Sequence, residues 1–175
     1  MTNYKIGFVG AGKMASAIIK GLIKTGFAKP EELIATQAEK DTLEEKSKLL
    51  GIKVISDNKE LANSVNTVFI ATKPNQVEGV LAEISPYINS EKLVVSIAAG
   101  VTTTKLEAGL PDGTRVIRVM PNTPALVGEG MSGMVGGKNA KTEDLEYIKE
   151  LLSTIGRCIV VDNEAQIDIV TAISG

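Results

Sequence analysis

The chain has no histidine and no tryptophan, and it carries one cysteine, Cys158. Without histidine, acid–base work by an imidazole and any histidine-ligated metal site are excluded for these residues. A single cysteine makes no internal disulfide. Its place beside Ile159, Val160 and Val161 reads as a small core residue rather than a nucleophile. Aromatic residues are only 3% of the chain, so the core has to be aliphatic, as parallel strands covered by helices require. Neither sign of charge dominates: 19 basic residues face 21 acidic ones with no basic cluster, which argues against nucleic acid or an anionic membrane as partner. No apolar run approaches the ~18 residues of a membrane span, and no secretory leader is recognisable, so a cytoplasmic protein is expected. Internal repeats and low-complexity linkers are absent too. What is present is a 175-residue chain, 43% hydrophobic, long enough for one domain or one and a fraction.

The most informative stretch is Lys5 to Leu22, KIGFVGAGKMASAIIKGL. Ile6, Phe8 and Val9 suit a buried strand, whereas Met14, Ala17, Ile18, Gly21 and Leu22 recur at three and four residues and so share one face of a helix. Between them lies Gly10-Ala11-Gly12. Gly10 permits the sharp turn out of the strand, Gly12 has no Cβ to keep a pyrophosphate away from the backbone, and Ala15 is small where helix and strand pack closely. The unpaired N–H groups at the helix start then favour a phosphate. Seventeen glycines will produce GxGxxA spacings by chance, so the weight rests on context, a strand before the motif and an amphipathic helix after it.

Further strands are expected at Leu33–Thr36, Ile52–Ile55, Val68–Ala71, Leu93–Ile97, Thr114–Met120, Gly130–Gly136 and Cys158–Val161. Helices are expected at 41–50, 59–63, 74–84, 103–108 and 141–155. Strands alternating with helices predict an α/β Rossmann-type, doubly wound, mainly parallel sheet of about eight strands with helices on both faces. In such a sheet the strand ends carry the site. The second strand ends in Thr36-Gln37-Ala38, with none of the acid that binds an adenosine ribose in NAD-specific sites, a tip compatible with NADP that does not forbid NAD. Lys40 behind it is either a phosphate contact or simply solvated. Asn58 is either part of a helix cap or an adenine-side contact. Thr72 and Lys73, at the end of the fourth strand, lie where the middle of a dinucleotide belongs, although Lys73 before the helix-starting Pro74 can equally be solvated. Ala98-Ala99-Gly100 admits a close approach by a nicotinamide or by the next helix. Met120-Pro121-Asn122-Thr123-Pro124 is a rigid polar loop, with Asn122 a ligand contact or a turn residue bonded to its own backbone. Arg118, inside a strand, is a structural ion pair or an attractor of a substrate carboxylate. After Asp162 the pattern changes. Ala165, Ile169, Ala172 and Ile173 are spaced as one helical face, so residues 1–162 are expected to form the dinucleotide-binding domain and 163–175 to open a helical second one.

Together FVGAGKMASAIIKGL, ATKP at Ala71–Pro74, SIAAGV at Ser96–Val101, RVIRVMPNTPALVGEG at Arg115–Gly130 and the terminal TAISG resemble the amino-terminal part of pyrroline-5-carboxylate reductases. The resemblance covers essentially the whole chain, with its motifs in order. It implies reduction of 1-pyrroline-5-carboxylate to proline by NADPH, the preferred expectation, or NADH. It also implies a small-molecule substrate and a homo-oligomer built by a helical second domain that begins where this chain stops. Carried over, Val9, Gly10, Ala11, Gly12, Lys13 and Met14 would form the pyrophosphate loop, and Thr36, Gln37 and Asn58 the adenosine-ribose region. Ala71, Thr72, Lys73 and Pro74 with Ser96, Ala98 and Ala99 would form the nicotinamide side, and Met120, Asn122 and Thr123 the floor of the substrate pocket. No residue of this stretch is assigned a certain catalytic role. Two other readings stay open from the residues alone: another two-domain NAD(P)-dependent dehydrogenase of the β-hydroxyacid type, and a non-catalytic nucleotide-binding module.

Overall fold

The computed structural model describes residues 5–167 and Ile169. In chain order its elements are β1 (Ile6–Val9), α1 (Lys13–Thr25), β2 (Leu33–Thr36), α2 (Leu43–Leu50), β3 (Lys53–Ile55), α3 (Asn58–Ser64), β4 (Thr67–Ile70), α4 (Val77–Ile84), β5 (Leu93–Ser96), α5 (Thr103–Ala108), β6 (Arg115–Met120), β7 (Gly130–Gly136), α6 (Thr142–Leu152) and β8 (Gly156–Val160). The strands form one sheet in the order β3-β2-β1-β4-β5-β6-β7-β8. The first six run parallel in the doubly wound order 3-2-1-4-5-6, so the chain reverses its winding direction between β1 and β4.

Continuous apolar strands explain why this sheet is covered on both faces. Each residue of β1, β2, β4 and β5 is buried, and a parallel strand in that setting has no solvent side to make polar. On one face Phe8, Ala35, Phe69, Val95 and Ile117 pack under α1 and α6, where Phe8 and Phe69 stack across the β1–β4 pair with ring centroids 4.9 Å apart. On the other, Ile34, Val68, Ile70, Val94 and Val116 pack with Leu61, Val80, Leu81 and Leu106 of α3, α4 and α5.

The sheet's last third departs from the parallel rule. A short 3₁₀ turn, Thr123–Val127, reverses the chain after β6, so β7 pairs antiparallel with it, Met120 facing Gly133. Helix α6 then returns the chain and β8 runs parallel to β7. Cys158 of β8 is buried, and burial pushes its thiol up to about 11, which keeps it protonated at neutral pH and suits a core residue.

Several helices are shorter than the sequence pattern suggests because a 3₁₀ turn replaces one end: Lys40–Thr42 before α2, Pro74–Gln76 before α4 and Ser153–Ile155 after α6. Residues 164–167 are helical, as the apolar spacing after Asp162 predicts, and Ile169 is exposed; Ala172 and Ile173 lie outside the described residues. Among the described residues no helix is long and apolar enough to cross a membrane.

Helix α1 is seated on the turn after α6 through a glycine. A Cβ at Gly21 would meet Ile155 Cγ2 at 2.5 Å and Thr154 O at 3.0 Å, whereas one at Gly79 of α4 would meet nothing within 4 Å. Alanine at either position gains about 0.5–1 kcal/mol of helix propensity. At Gly21 overpacking of about 1–3 kcal/mol opposes that gain and wins. Urea unfolding should therefore show Gly79→Ala stabilised and Gly21→Ala destabilised. Equal shifts of one sign would mean that α1 does not pack this closely on residues 153–155.

Candidate functional site

The carboxyl ends of β1, β2 and β4 meet at the point where the winding reverses, and the turn leaving β1 is fixed from both sides. Gly10 N–H donates to Thr36 Oγ1 of β2 (3.1 Å), while Ala71 N–H donates to Val9 O (2.9 Å). Gly10 has φ +100°, and a Cβ there would stand 2.8 Å from Ala71 O, so conformation and space both demand glycine. Gly12 differs. Its φ of −71° is open to any residue and a Cβ would meet nothing within 4 Å among the described residues, so its lack of a side chain leaves a gap that they do not fill.

That gap adjoins the start of α1, a 13-residue helix whose N-cap Gly12 gives no side-chain cap and whose first turn holds no acid. Among the described residues, the first N–H groups of the helix thus have no side-chain cap and no acid in their turn to answer their partial positive charge. Thr72 Oγ1, just past β4, is buried and has no hydrogen-bond partner among the described residues. Open backbone donors, a vacant Cβ position and an orphaned hydroxyl on the opposite strand suit a phosphorylated ligand lying across the crevice.

Around this centre the other expected positions take definite places. Ser96 is fully buried, and its Oγ accepts from Ala98 N–H (3.2 Å), so the hydroxyl holds the turn after β5; Ala98 is buried and Ala99 exposed. Lys73 is exposed and precedes Pro74, its N–H donating to Gln76 Oε1 (3.3 Å). The helix α3 is capped by Asp57, whose Oδ1 accepts from Lys59 and Glu60 N–H, while Asn58 donates its amide to Glu83 Oε2 (2.8 Å). Asn122 O accepts from Ala125 N–H within the turn (3.1 Å), and its Oδ1 accepts from Met131 N–H of β7 (2.9 Å), tying the loop after β6 to the returning strand. Met120 ends β6 half-buried, and Thr123 begins the 3₁₀ turn exposed. Among the described residues, no three His, Cys, Asp or Glu side chains are grouped to hold a metal ion.

Two features escape the sequence reading. Glu39, one residue past the Thr36-Gln37-Ala38 tip, accepts a hydrogen bond from Gln37 Nε2, so an acid does reach the end of β2. The signal was its nearness in sequence; its direction is set only by the turn that follows. The second is the partner of Arg118. This guanidinium is 2% exposed and pairs with Glu164, the first residue of the helical segment after β8, whose other oxygen accepts Thr103 N–H of α5 at 2.7 Å. Arg118 is thus a buried guanidinium in an ion pair with the half-buried Glu164, beside Ser96, its register partner in the sheet.

The order of the strands, the glycine turn and the unfilled helix start define a dinucleotide-binding domain of the doubly wound class. The chain belongs to the family described as NADP oxidoreductase, coenzyme F420-dependent, whose model matches residues 5–100. Over all 175 residues it is 44% identical to the pyrroline-5-carboxylate reductase of Methanosarcina acetivorans, and this alignment spans 64% of that protein. Among solved structures it resembles a pyrroline-5-carboxylate reductase from Coxiella burnetii, with TM-score 0.92 and 31% identity over 99% of this chain and 64% of that one. It also resembles the Plasmodium falciparum pyrroline carboxylate reductase with NADP bound, with TM-score 0.87 and 35% identity over 100% of this chain and 63% of that one. The chain therefore spans less than two thirds of the length of these relatives.

The Arg118–Glu164 pair has a pH signature. Burial pushes the Glu164 carboxyl up, but hydrogen bonds from Thr103 and Arg118 and the guanidinium charge outweigh it and hold the group below its ordinary value of 4.5. A depressed folded value contributes stability that is fully present above 4.5 and is lost as pH falls through the folded value. Glu164→Gln should lower stability by on the order of 1–3 kcal/mol near neutral pH. Unfolding titrations should show that gap narrowing as pH drops below 4.5; a gap constant with pH would rule out the carboxylate's charge as its source.

Proposed function

We propose that this chain is the cofactor-binding domain of a pyrroline-5-carboxylate reductase, which reduces 1-pyrroline-5-carboxylate to proline with NADPH as preferred donor and NADH as the other. The observation that carries the proposal is the 44% identity maintained over all 175 residues with a reductase of that name, on a fold whose crevice is left open at Gly12. The NADP-bound relative at 35% identity supports the same donor here.

In this reading each strand end has a task. The N–H groups that follow Gly10, Ala11 and Gly12 bind the pyrophosphate, with Lys13 and Met14 opening the helix behind it and Val9 below. Thr72 gives its orphaned hydroxyl to the ribose or phosphate, with Ala71, Lys73 and Pro74 alongside, while Thr36, Gln37 and Asn58 meet the adenosine ribose. Ser96, Ala98 and Ala99 keep the nicotinamide side free of bulk. When bound, a reduced nicotinamide supplies the hydride for the imine carbon. A cyclic imine already protonated on nitrogen needs no further acid, which agrees with a site free of histidine and leaves orientation as the protein's main contribution. Met120, Asn122 and Thr123 line the floor on which that orientation depends. Asn122 serves there with its oxygen already committed to Met131, so its amide nitrogen is the group that faces substrate.

The proposal extends to the whole subunit. Residues 1–162 form the cofactor domain, and the helical segment from 163 leads into a second domain that completes the substrate pocket and joins subunits into a homo-oligomer in the cytoplasm. The Arg118–Glu164 pair supports this division, since it anchors the start of that segment to β6 and α5.

Gly12→Val separates the cofactor role from folding. The backbone there accepts valine, and the lost N-cap preference costs no more than about 1 kcal/mol, yet the branched side chain occupies the space assigned to the pyrophosphate. Calorimetry should show NADP(H) and NAD(H) binding weakened at least tenfold, about 1.4 kcal/mol, with the thermal midpoint little changed. Equal affinity in the variant would remove the glycine turn from the site. A full-length subunit that fails to oxidise NADPH or NADH with pyrroline-5-carboxylate would refute the activity itself.

A further inference from the structure

The turn after β5 is held at both ends by side-chain oxygens that come from distant parts of the chain. At its start the buried Ser96 Oγ accepts from Ala98 N–H (3.2 Å). At its end Thr103 N–H, the first of α5, donates to Glu164 Oε1 (2.7 Å) across 61 residues of sequence. Ala99 and Gly100, between the two holds, are exposed. Helix α5 has six residues, too few to fix its own start without tertiary contacts. Its cap Thr102 accepts from Lys105 N–H (3.2 Å), so the Thr103 donor is met from outside the helix. Glu164 is itself firmly placed. Its other oxygen pairs with Arg118, the register partner of Ser96. Its backbone starts a segment in which Asn163 Oδ1 accepts from Gln166 N–H (3.2 Å), Gln166 Oε1 accepts from Asp162 N–H (2.8 Å) and Ile167 is buried.

From this clamp we propose that Glu164 is a positioning residue for hydride transfer. It sets where residues 97–102 lie on the nicotinamide side, and it ties their place to the segment that opens the second domain. The proposal rests on the cofactor reading above, in which Ser96, Ala98 and Ala99 flank the nicotinamide. Hydride transfer is steep in geometry, and a misplacement of ~1 Å costs on the order of a hundredfold in rate. Ser96 fixes the turn only where it leaves β5; Glu164 fixes its far end. The carboxylate meets Thr103 and Arg118 through different oxygens, so positioning and ion pairing are separable by mutation.

Thr103→Pro in the full-length subunit makes that separation. It removes the N–H and the hydroxyl that bond Glu164 and leaves the Arg118 contact in place. Proline suits the first position of a helix, and Thr102 before it is already extended, with φ −73° and ψ 158°. A second variant, Arg118→Met with Glu164→Leu, removes the acceptor and leaves no buried charge unpaired, an exchange that often keeps or raises stability. In both, kcat for pyrroline-5-carboxylate should fall about tenfold or more, while KM for the imine changes less than about threefold. Calorimetry should show 2′-phospho-ADP-ribose, which is NADPH without its nicotinamide, bound within about twofold of the parent. Parent-like kcat in either variant, with the contact to Thr103 gone, would overturn the proposal. Equal weakening of NADPH and 2′-phospho-ADP-ribose in both variants would overturn it too, since the contact would then serve stability alone. A parent subunit that binds neither ligand would overturn the cofactor reading instead.

Discussion

Everything in this domain is arranged around the way the chain leaves β1. Gly10 has to pass under the backbone of Ala71 with a positive φ while donating its N–H to Thr36, and only a residue without a Cβ satisfies all three conditions. Once that turn is made, α1 must start beside the ends of β2 and β4, its first N–H groups aimed at the crevice. The open space at Gly12 and the unpaired Thr72 hydroxyl follow from the same turn.

Rigidity around this point comes from burial on both faces of the sheet. The strands flanking β1 contribute only apolar or small side chains, and Phe8 against Phe69 locks the β1–β4 register; such a stacked pair adds about 0.5–1.5 kcal/mol beyond its buried area. Register matters because a slip of one residue would turn each buried side chain to the opposite face. The crevice is therefore held by the core, and its own polar groups remain available for a ligand.

A second fixed point lies at the far side. Arg118 is buried in a strand otherwise filled by Val116, Ile117 and Val119, and Glu164 reaches it from beyond β8 to pair its charge. Glu164 also takes the N–H of Thr103, so one carboxylate joins β6, α5 and the segment that leaves the sheet. The loop after β6 is held similarly, through Asn122 and Met131. Both connections bind the later, antiparallel part of the sheet to the strand ends that carry the site.

By itself, the sequence determined the elements and their class. Apolar strands between amphipathic helices, glycines at a strand-to-helix turn and a chain poor in aromatics admit few architectures other than a covered parallel sheet, and eight strands and their approximate limits were readable. Helix ends were not, because a 3₁₀ turn and an α-helical turn share almost the same apolar spacing and differ only in which carbonyl each N–H finds. The partners of polar side chains were decided by tertiary structure alone. Arg118 and Glu164 lie 46 residues apart, and nothing periodic links them. Asn122 found Met131 because the chain reverses after β6, and Glu39 reached Gln37 because a short turn fixed its carbonyl. Hydrophobic patterns repeat along the chain and can be read locally, whereas a hydrogen bond depends on where two distant backbones come to rest, which only the folded sheet specifies.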